Sequence, residues 1–354
     1  MGVVDELVTY IARRCEASVN DQNITVHQPL HSHSNKYANE NGALYQFLGT
    51  TTTNKIKYLG DTNNEATIHE ELDIVRFTNA LLYPLKHYYN NVLGIYMRND
   101  ALGLAETEDF ELDTLQRWNL SRDLLHDQDI DAEEWITTSK KQGRLPLNNA
   151  GTFQAEKVVK EIETVKIIYQ SLIENKINTT KEFKVDLQNL VLKGTEKNLY
   201  GNKLIFTCLS KSESKYLAEA YVHFLFVSSI DDTIECYFVS KAKEKFSKFK
   251  PVQKAEAIKR LNDLVGLYEI ASKQLVPFAA NLKFDEKKRG EEISIIYSNA
   301  MNKTFENKFY PCSDEYLLKG HDASIFEENG LNLFQVFYEN LIRPLNDQLP
   351  DYFN

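Results

Sequence analysis

The stretch KEFKVDLQNLVLKGTEKNLYGNKLIFTCLSKSESKYLAEAYVHFLFVSSIDDTIECYFVSK (Lys181–Lys241) decides the fold of this chain. Its first part alternates apolar and polar side chains, which predicts two strands that each bury one face. A more apolar strand is predicted at Lys203–Ser210, then a helix at Glu213–Ser229 and a further strand at Thr233–Lys241. This order of elements predicts an α/β (α+β) domain with a small mixed sheet.

Upstream of these strands the sequence predicts helices. The segment Glu70–Met97 contains LDIVRFTNALLYPLKHYYNNVLGIYM, in which apolar and aromatic residues recur at helical spacing. Pro84 must kink or split this helix, because proline lacks a backbone donor and clashes with the preceding turn. A second helix is predicted to begin near Asp113, and a long amphipathic helix to span Phe153–Glu174. We therefore expect many helices around the small sheet.

Composition and charge exclude several classes of protein. The four cysteines are far apart and form no C-x-x-C pair, which favours reduced thiols in a cytoplasmic protein over a disulfide framework or a zinc site. The N-terminus has no signal-peptide pattern, and no run of about 18 apolar residues predicts a membrane span. The formal net charge of −10 argues weakly against a free-standing nucleic-acid binder, but it allows a local basic strip.

The polar segment before the kinked helix is the best candidate for a domain boundary. A helix is predicted from Val4 to about Ala17, and a loop rich in Asn, Thr and Ser from His31 to about Thr67. We therefore predict a helical N-terminal extension or linker at residues 1–66 and the main domain at residues 67–354.

Three motifs in Leu72–Ala155 point to a known family. They are the kinked aromatic helix, an acidic F-x-L-D-x-L start to the second helix, and the G-x-L-P turn of KKQGRLPLNNAGTFQAE (Lys140–Glu156). Together they resemble the C-terminal region of the RecC family, the gamma subunit of exodeoxyribonuclease V. The resemblance implies a PD-(D/E)xK nuclease-like core in residues 67–354. It also implies that residues 1–66 continue from a helicase-like domain of a larger protein.

The resemblance further implies partners and a role. RecB-like and RecD-like subunits would complete an ATP-driven helicase–nuclease that resects double-strand breaks for recombination. This chain would shape the DNA channel for double and single strands, help to separate them and contact RecB. It has neither a G-x-x-x-x-G-K-[ST] nor a G-x-G-x-x-G motif, so we expect no cofactor in this chain, with Mg²⁺ and ATP used by the partner subunits.

The residues needed for nuclease chemistry are missing where the resemblance places them. An active PD-(D/E)xK core holds Mg²⁺ with an Asp near the turn of one strand and a D/E-x-K on the next. The turn here carries Tyr200, and the next strand carries Thr207, Cys208 and Ser210. We therefore predict no catalytic residues and no metal site. The tripeptide Glu182-Phe183-Lys184 fits the E-x-K spacing, with Asp186 close by. It opens the first predicted strand, however, so no upstream strand is predicted to supply the partner Asp.

The best candidate for DNA contact is SKAKEKFSKFKPVQK (Ser240–Lys254). Lysines interleaved with aromatic rings suit phosphate attraction and base stacking, although a solvated lysine-rich loop has the same composition. The candidate residues are Lys241, Lys243, Lys245, Phe246, Lys248, Phe249, Lys250 and Lys254. A second, smaller basic spot consists of Lys140, Lys141 and Arg144.

Two other functions remain open from the sequence. The chain could be a Mg²⁺-dependent exonuclease whose acids stand at unusual positions, such as Glu182 and Asp186. It could also be a protein-interaction module that has no contact with DNA. Three histidines (His27, His31 and His33) could bind a transition metal, but Pro29 interrupts any helix that would align them, which favours a loop.

Overall fold

The computed structural model describes residues 2–15, 71–94, 96, 111–127, 131–280, 292–297 and 330–353. The chain divides into two compact units, Met1–Lys57 and Tyr58–Asn354. In the first unit, helix α1 spans Gly2–Arg14 and overlaps the predicted N-terminal helix. The predicted polar loop, the three histidines and the predicted boundary at residues 66 and 67 lie outside the described residues, so that boundary stays a prediction.

The second unit contains a six-stranded mixed sheet, which confirms the predicted fold class. Strands β2, β3 and β4 are antiparallel neighbours, β5 is parallel to β4, and β6 is antiparallel to β5. The short β1 is parallel to the beginning of β3. The strands are β1 (Glu71–Asp73), β2 (Asn178–Asp186), β3 (Val191–Tyr200), β4 (Lys203–Cys208), β5 (Glu235–Ser240) and β6 (Lys245–Lys248).

Helices cover both faces of the sheet. They are α2 (Ile74–Leu82), α3 (Pro84–His87), α4 (Thr114–His126), α5 (Ala132–Lys141), α6 (Asn148–Ile173), α7 (Ser214–Ser228), α8 (Lys254–Lys273), α9 (Gly330–Phe337), α10 (Arg343–Gln348) and α11 (Pro350–Phe353). One face packs against α6, which α4 and α5 support, while α2, α7 and α8 pack together on the other face. None of these helices is long and apolar enough to cross a membrane, within the described parts of the chain.

The kinked helix begins later than the sequence predicts. The predicted start at Glu70 is wrong, because Glu71–Asp73 form β1 and the helix begins at Ile74. Asp73 caps this helix by accepting a hydrogen bond from the Val75 backbone N–H at 2.9 Å. The predicted break is confirmed, since α2 ends before Pro84, which opens α3. A π-helical turn (Tyr88–Val92) follows α3.

The basic segment forms a strand that the sequence did not predict. Lys245–Lys248 is β6, which pairs along β5, rather than a solvated loop. Its alternation is weak, because Ser247 is the one buried side chain in the strand. Pairing with the buried β5 therefore outweighs the low strand preference of its lysines. Near the C-terminus, a π-helical turn (Tyr338–Ile342) joins α9 to α10.

Candidate functional site

The order of the central elements is compatible with the nuclease-like core that the resemblance implies. Helix α6 precedes the antiparallel β2, β3 and β4, and α7 then crosses to β5, which runs parallel to β4. Strands β3 and β4 pair at only two positions, Leu199 with Leu204 and Tyr200 with Lys203. Gly201, with φ of +63°, makes the turn between them. The resemblance implies that the metal-binding acids of an active nuclease would lie along these two strands.

Uncharged side chains occupy the predicted catalytic positions on these strands. Tyr200 is buried, and its hydroxyl shares a 2.7 Å hydrogen bond with the Tyr169 hydroxyl on α6. Thr207 is half-buried and Cys208 is buried on β4. Burial raises the pKa of the Cys208 thiol to about 12, so the thiol stays protonated at neutral pH. These three side chains offer no anionic ligand to a divalent cation.

A buried ion pair connects β3 to α7, which packs on the face of the sheet opposite α6. The Oε1 atom of Glu196 lies 2.6 Å from Nδ1 of His223, and both side chains are nearly inaccessible to solvent. Burial alone lowers the pKa of His223, but the hydrogen bond and charge of Glu196 outweigh burial, so the pKa is raised. The ring of Phe206 packs edge-on against His223 at 6.3 Å. The pair therefore ties strand to helix as a charge-assisted hydrogen bond.

Neither partner of this ion pair was predicted as a functional residue. Glu196 lies in the polar stretch KGTEKN, which reads as an exposed strand. His223 interrupts the apolar run YVHFLFV, and a polar residue inside such a run was the one available signal. Within the described residues, no group of three or more His, Cys, Asp or Glu side chains could hold a metal ion.

The E-x-K tripeptide lies on β2, which has β3 as its one neighbour among the described strands. Glu182, Lys184 and Asp186 alternate along the strand and are all exposed. Lys184 donates to Glu71 at 2.8 Å, and Lys193 donates to the same carboxylate at 2.8 Å. Four residues of extended strand separate Glu182 from Asp186 by roughly 13 Å. From this strand the two carboxylates cannot ligate one ion, whose ligand distances are near 2 Å.

Four lysines of the basic segment contact other parts of the chain. Lys241 forms an ion pair with Glu161 at 3.1 Å, and Lys248 forms one with Glu235 at 2.6 Å. Lys243 and Lys245 donate to the backbone oxygens of α11, each at 2.5 Å (acceptors Tyr352 O and Asp351 O). Each of these lysines thus helps to hold α6, β5 or the C-terminal helix in place.

The remaining residues of the basic segment divide into core and surface. Phe249 is 1% exposed and stacks on Phe224 with ring centroids 4.8 Å apart. Phe246 is 46% exposed on β6. Lys250 and Lys254 are exposed and form no side-chain hydrogen bond or ion pair among the described residues. The structure therefore leaves Phe246, Lys250 and Lys254 as the members of this segment that a DNA strand could reach.

The smaller basic spot lies at the end of α5. Lys140 donates to the hydroxyl of Thr152, and Arg144 forms a 2.5 Å ion pair with Asp123. Lys141 is exposed and has no such partner among the residues described. The three predicted cations are thus close in space, but two of them hold the turn between α5 and α6.

Comparisons with known proteins match most of the second unit, Tyr58–Asn354. A family model described as the RecC C-terminal domain matches residues 69–285, which include all six strands and helices α2 to α8. The RecBCD enzyme subunit RecC of Haemophilus influenzae is 22% identical over 264 residues, which cover 70% of this chain. The chain spans 22% of the length of that relative.

Proposed function

Because the chain belongs to the RecC family, we propose that it is a non-catalytic, nuclease-like domain that guides DNA within a helicase–nuclease assembly. One observation carries the non-catalytic part of the proposal. The positions at which the resemblance expects metal ligands carry the uncharged side chains of Tyr200, Thr207 and Cys208, on β3 and β4. This absence of acids supports a domain that does not cut DNA.

We extend the proposal to partners and cofactors. The relative in Haemophilus influenzae is named as a RecBCD enzyme subunit, and this supports RecB-like and RecD-like partners for the present chain. In such an assembly the partner subunits would use ATP and Mg²⁺, and this domain would contact the RecB-like subunit and line the DNA path. The role of the domain would be positional and electrostatic, in the repair of double-strand breaks by recombination.

A cleavage assay tests the non-catalytic part of the proposal. The purified chain is incubated with end-labelled linear DNA, double- and single-stranded, and with Mg²⁺ or Mn²⁺. We expect no cleavage above that of a buffer control. Cleavage that Glu182→Ala or Asp186→Ala abolishes would establish the rival exonuclease, while cleavage that survives both changes would point to a contaminating nuclease.

A binding assay tests the contact with DNA. We expect the fluorescence anisotropy of a labelled forked DNA to rise with added chain and a RecB-like subunit, and to fall steeply as salt is increased. Replacing the exposed Lys250 and Lys254 by Glu is expected to weaken binding about three- to tenfold, because each change removes a phosphate attraction. The matched control replaces Lys160 and Lys259, which are exposed on α6 and α8, by Glu.

The same assay separates the proposed function from that of a protein-interaction module without any contact with DNA. A chain that binds the RecB-like subunit but leaves the anisotropy of every DNA unchanged would be a protein-interaction module. Equal weakening in the Lys250/Lys254 pair and in the control pair would show that binding follows net charge alone, and the basic segment would then be removed from the DNA path.

A further inference from the structure

We propose that a cationic pocket beside the kinked helix binds a phosphodiester group of a nucleic-acid strand. The pocket has a volume of about 570 Å³ and lies between α2, α3, the π-helical turn and the first turn of α7. The side chains that the argument uses are Arg76, Asn79, Lys86, His87, Asn91 and Lys215. The inference rests on the proposed function, since the strand would be the DNA that the assembly handles.

The cations of this pocket have no acidic partner among the described residues. Arg76, Lys86 and Lys215 form no ion pair and no side-chain hydrogen bond with any residue that the structure describes. Asp73 is the one carboxylate among the described lining residues, and it caps α2 through the Val75 N–H. In a chain of net charge −10, three unpaired cations around one cavity form a local positive site.

The floor of the pocket is held in a neutral, ordered state. Asn91 donates to Nδ1 of His87 at 3.1 Å, so His87 donates through Nε2 to the Ser272 hydroxyl at 3.1 Å. Ser272 in turn donates to the backbone oxygen of Tyr268 at 2.9 Å. Burial, and next the charge of Arg76, lower the pKa of His87 to about 4. The imidazole therefore adds no positive charge near pH 7, and it fixes Asn91 at the pocket.

The backbone here is one that functional sites often use. The helix is broken at Pro84, and the chain continues through a π-helical turn at Tyr88–Val92. Single π-helical turns occur frequently at functional sites. This turn places Asn91 on the same cavity as Lys86, one turn earlier, and Arg76 on the preceding helix. With Lys215 from α7, amide and cationic donors from four elements thus line one cavity.

The chemistry of the lining selects a phosphate oxyanion. A guanidinium presents a planar fork that matches the oxygens of a phosphate, and lysines attract it as point charges. Among the described lining residues, the aromatic rings are those of Tyr83 and of the buried His87. A base therefore has little to stack on, and the pocket suits the backbone of a strand. Such contacts position a nucleic acid without reading its sequence.

The test uses the full chain and a fluorescein-labelled single-stranded oligonucleotide. The pocket variant carries Arg76→Gln, Lys86→Gln and Lys215→Gln, and the matched control carries Lys160→Gln, Lys197→Gln and Lys259→Gln, which lose the same charge. We expect the pocket variant to bind at least about tenfold more weakly than the control at moderate salt. Its slope of log K against log salt is expected to be shallower by about 2 to 3.

Each other outcome overturns a stated part of the inference. If the wild-type chain binds the oligonucleotide and the pocket variant binds as the control does, the pocket proposal fails and the proposed function stands. If the wild-type chain binds no DNA even with the RecB-like subunit present, the proposed function fails. A melting temperature that inorganic phosphate raises in wild type, but not in the pocket variant, would then mark the pocket as a site for free phosphate and would remove the nucleic-acid occupant.

Discussion

Two basic regions of this chain differ in what their charges already contact. In the segment Ser240–Lys254 six lysines stand close together in sequence, yet four of them bind acids or carbonyls of the chain itself. In the pocket, Arg76, Lys86 and Lys215 come from three different helices and have no acidic partner among the described residues. Density of charge along a sequence therefore does not measure the charge that is available to a ligand.

The largest expected effect tests whether Phe249, in the basic segment, belongs to the hydrophobic core. Phe249→Ala removes a fully buried ring that stacks on Phe224, so we expect a loss of about 3–5 kcal/mol in the free energy of unfolding. Phe246→Ala, at the half-exposed ring three residues earlier, is expected to cost less than about 1 kcal/mol. Urea denaturation measures both. Equal costs would contradict the assignment of Phe249 to the core.

The next effect concerns the floor of the pocket. The pKa of His87 in the folded chain is about 4, against an ordinary value of 6.5, so the unfolded chain binds more protons between these values. The contribution of His87 to the free energy of unfolding is therefore fully present above pH 6.5. It is lost as the pH falls through about 4. The loss is expected to be on the order of 3 kcal/mol.

Urea denaturation of wild type and His87→Gln across this pH range isolates that contribution. The difference in free energy of unfolding between the two proteins is expected to shrink as pH falls. A difference that stays constant would mean that His87 titrates as it does in the unfolded chain, and the pocket floor would then gain charge near neutral pH.

A smaller effect tests the contact between the basic segment and the C-terminus. Tyr352 and Ser240 both donate to Oε2 of the buried Glu213, whose Oε1 has no hydrogen-bond partner among the described residues. Tyr352→Phe removes one donor from this carboxylate, so we expect a cost of about 1–3 kcal/mol. The control is Tyr237→Phe, whose hydroxyl donates to the half-exposed Glu235, and it is expected to cost less. Thermal or urea unfolding compares the two, and the reverse order would contradict a buried carboxylate at Glu213.

The smallest effect comes from the surface ion pairs. Lys248→Met breaks the pair with Glu235, whose members are 41% and 36% exposed. Water and salt weaken such a pair, so we expect a change below about 1 kcal/mol in the free energy of unfolding. Lys250→Met, at a lysine without an ion pair, serves as the reference in the same urea titration. A loss several times larger than the reference would show that this pair is a structural clamp.

The main helices and the central strands could be predicted from the sequence, because their apolar periodicity and the break at Pro84 are local signals. Helix α4 begins within one residue of the predicted Asp113. Strands β1 and β6 could not be predicted, since they have three and four residues and little alternation. Contacts with distant strands decide such short segments.

The candidate sites depended still more on tertiary contacts. That Thr207 and Cys208 stand where an active nuclease has its acids rests on the resemblance and stays a prediction. The pair of Glu196 and His223 could not be predicted, since 27 residues separate its members. Arg76, Lys86 and Lys215 could not be predicted as a group either, because each is the one Lys or Arg of its own helix.

Strand β1 has a consequence for how the domain folds and how it can be shortened. It pairs Glu71–Asp73 with Val191–Lys193, so roughly 120 residues must be ordered or looped out before the pairing closes. Contacts of such long range slow folding. A truncated chain that began after Asp73 would expose the backbone of β3 at Val191–Lys193 as an open edge, and open edges pair with other chains. Aggregation of that fragment, at concentrations where the full chain stays dispersed, is the expected result.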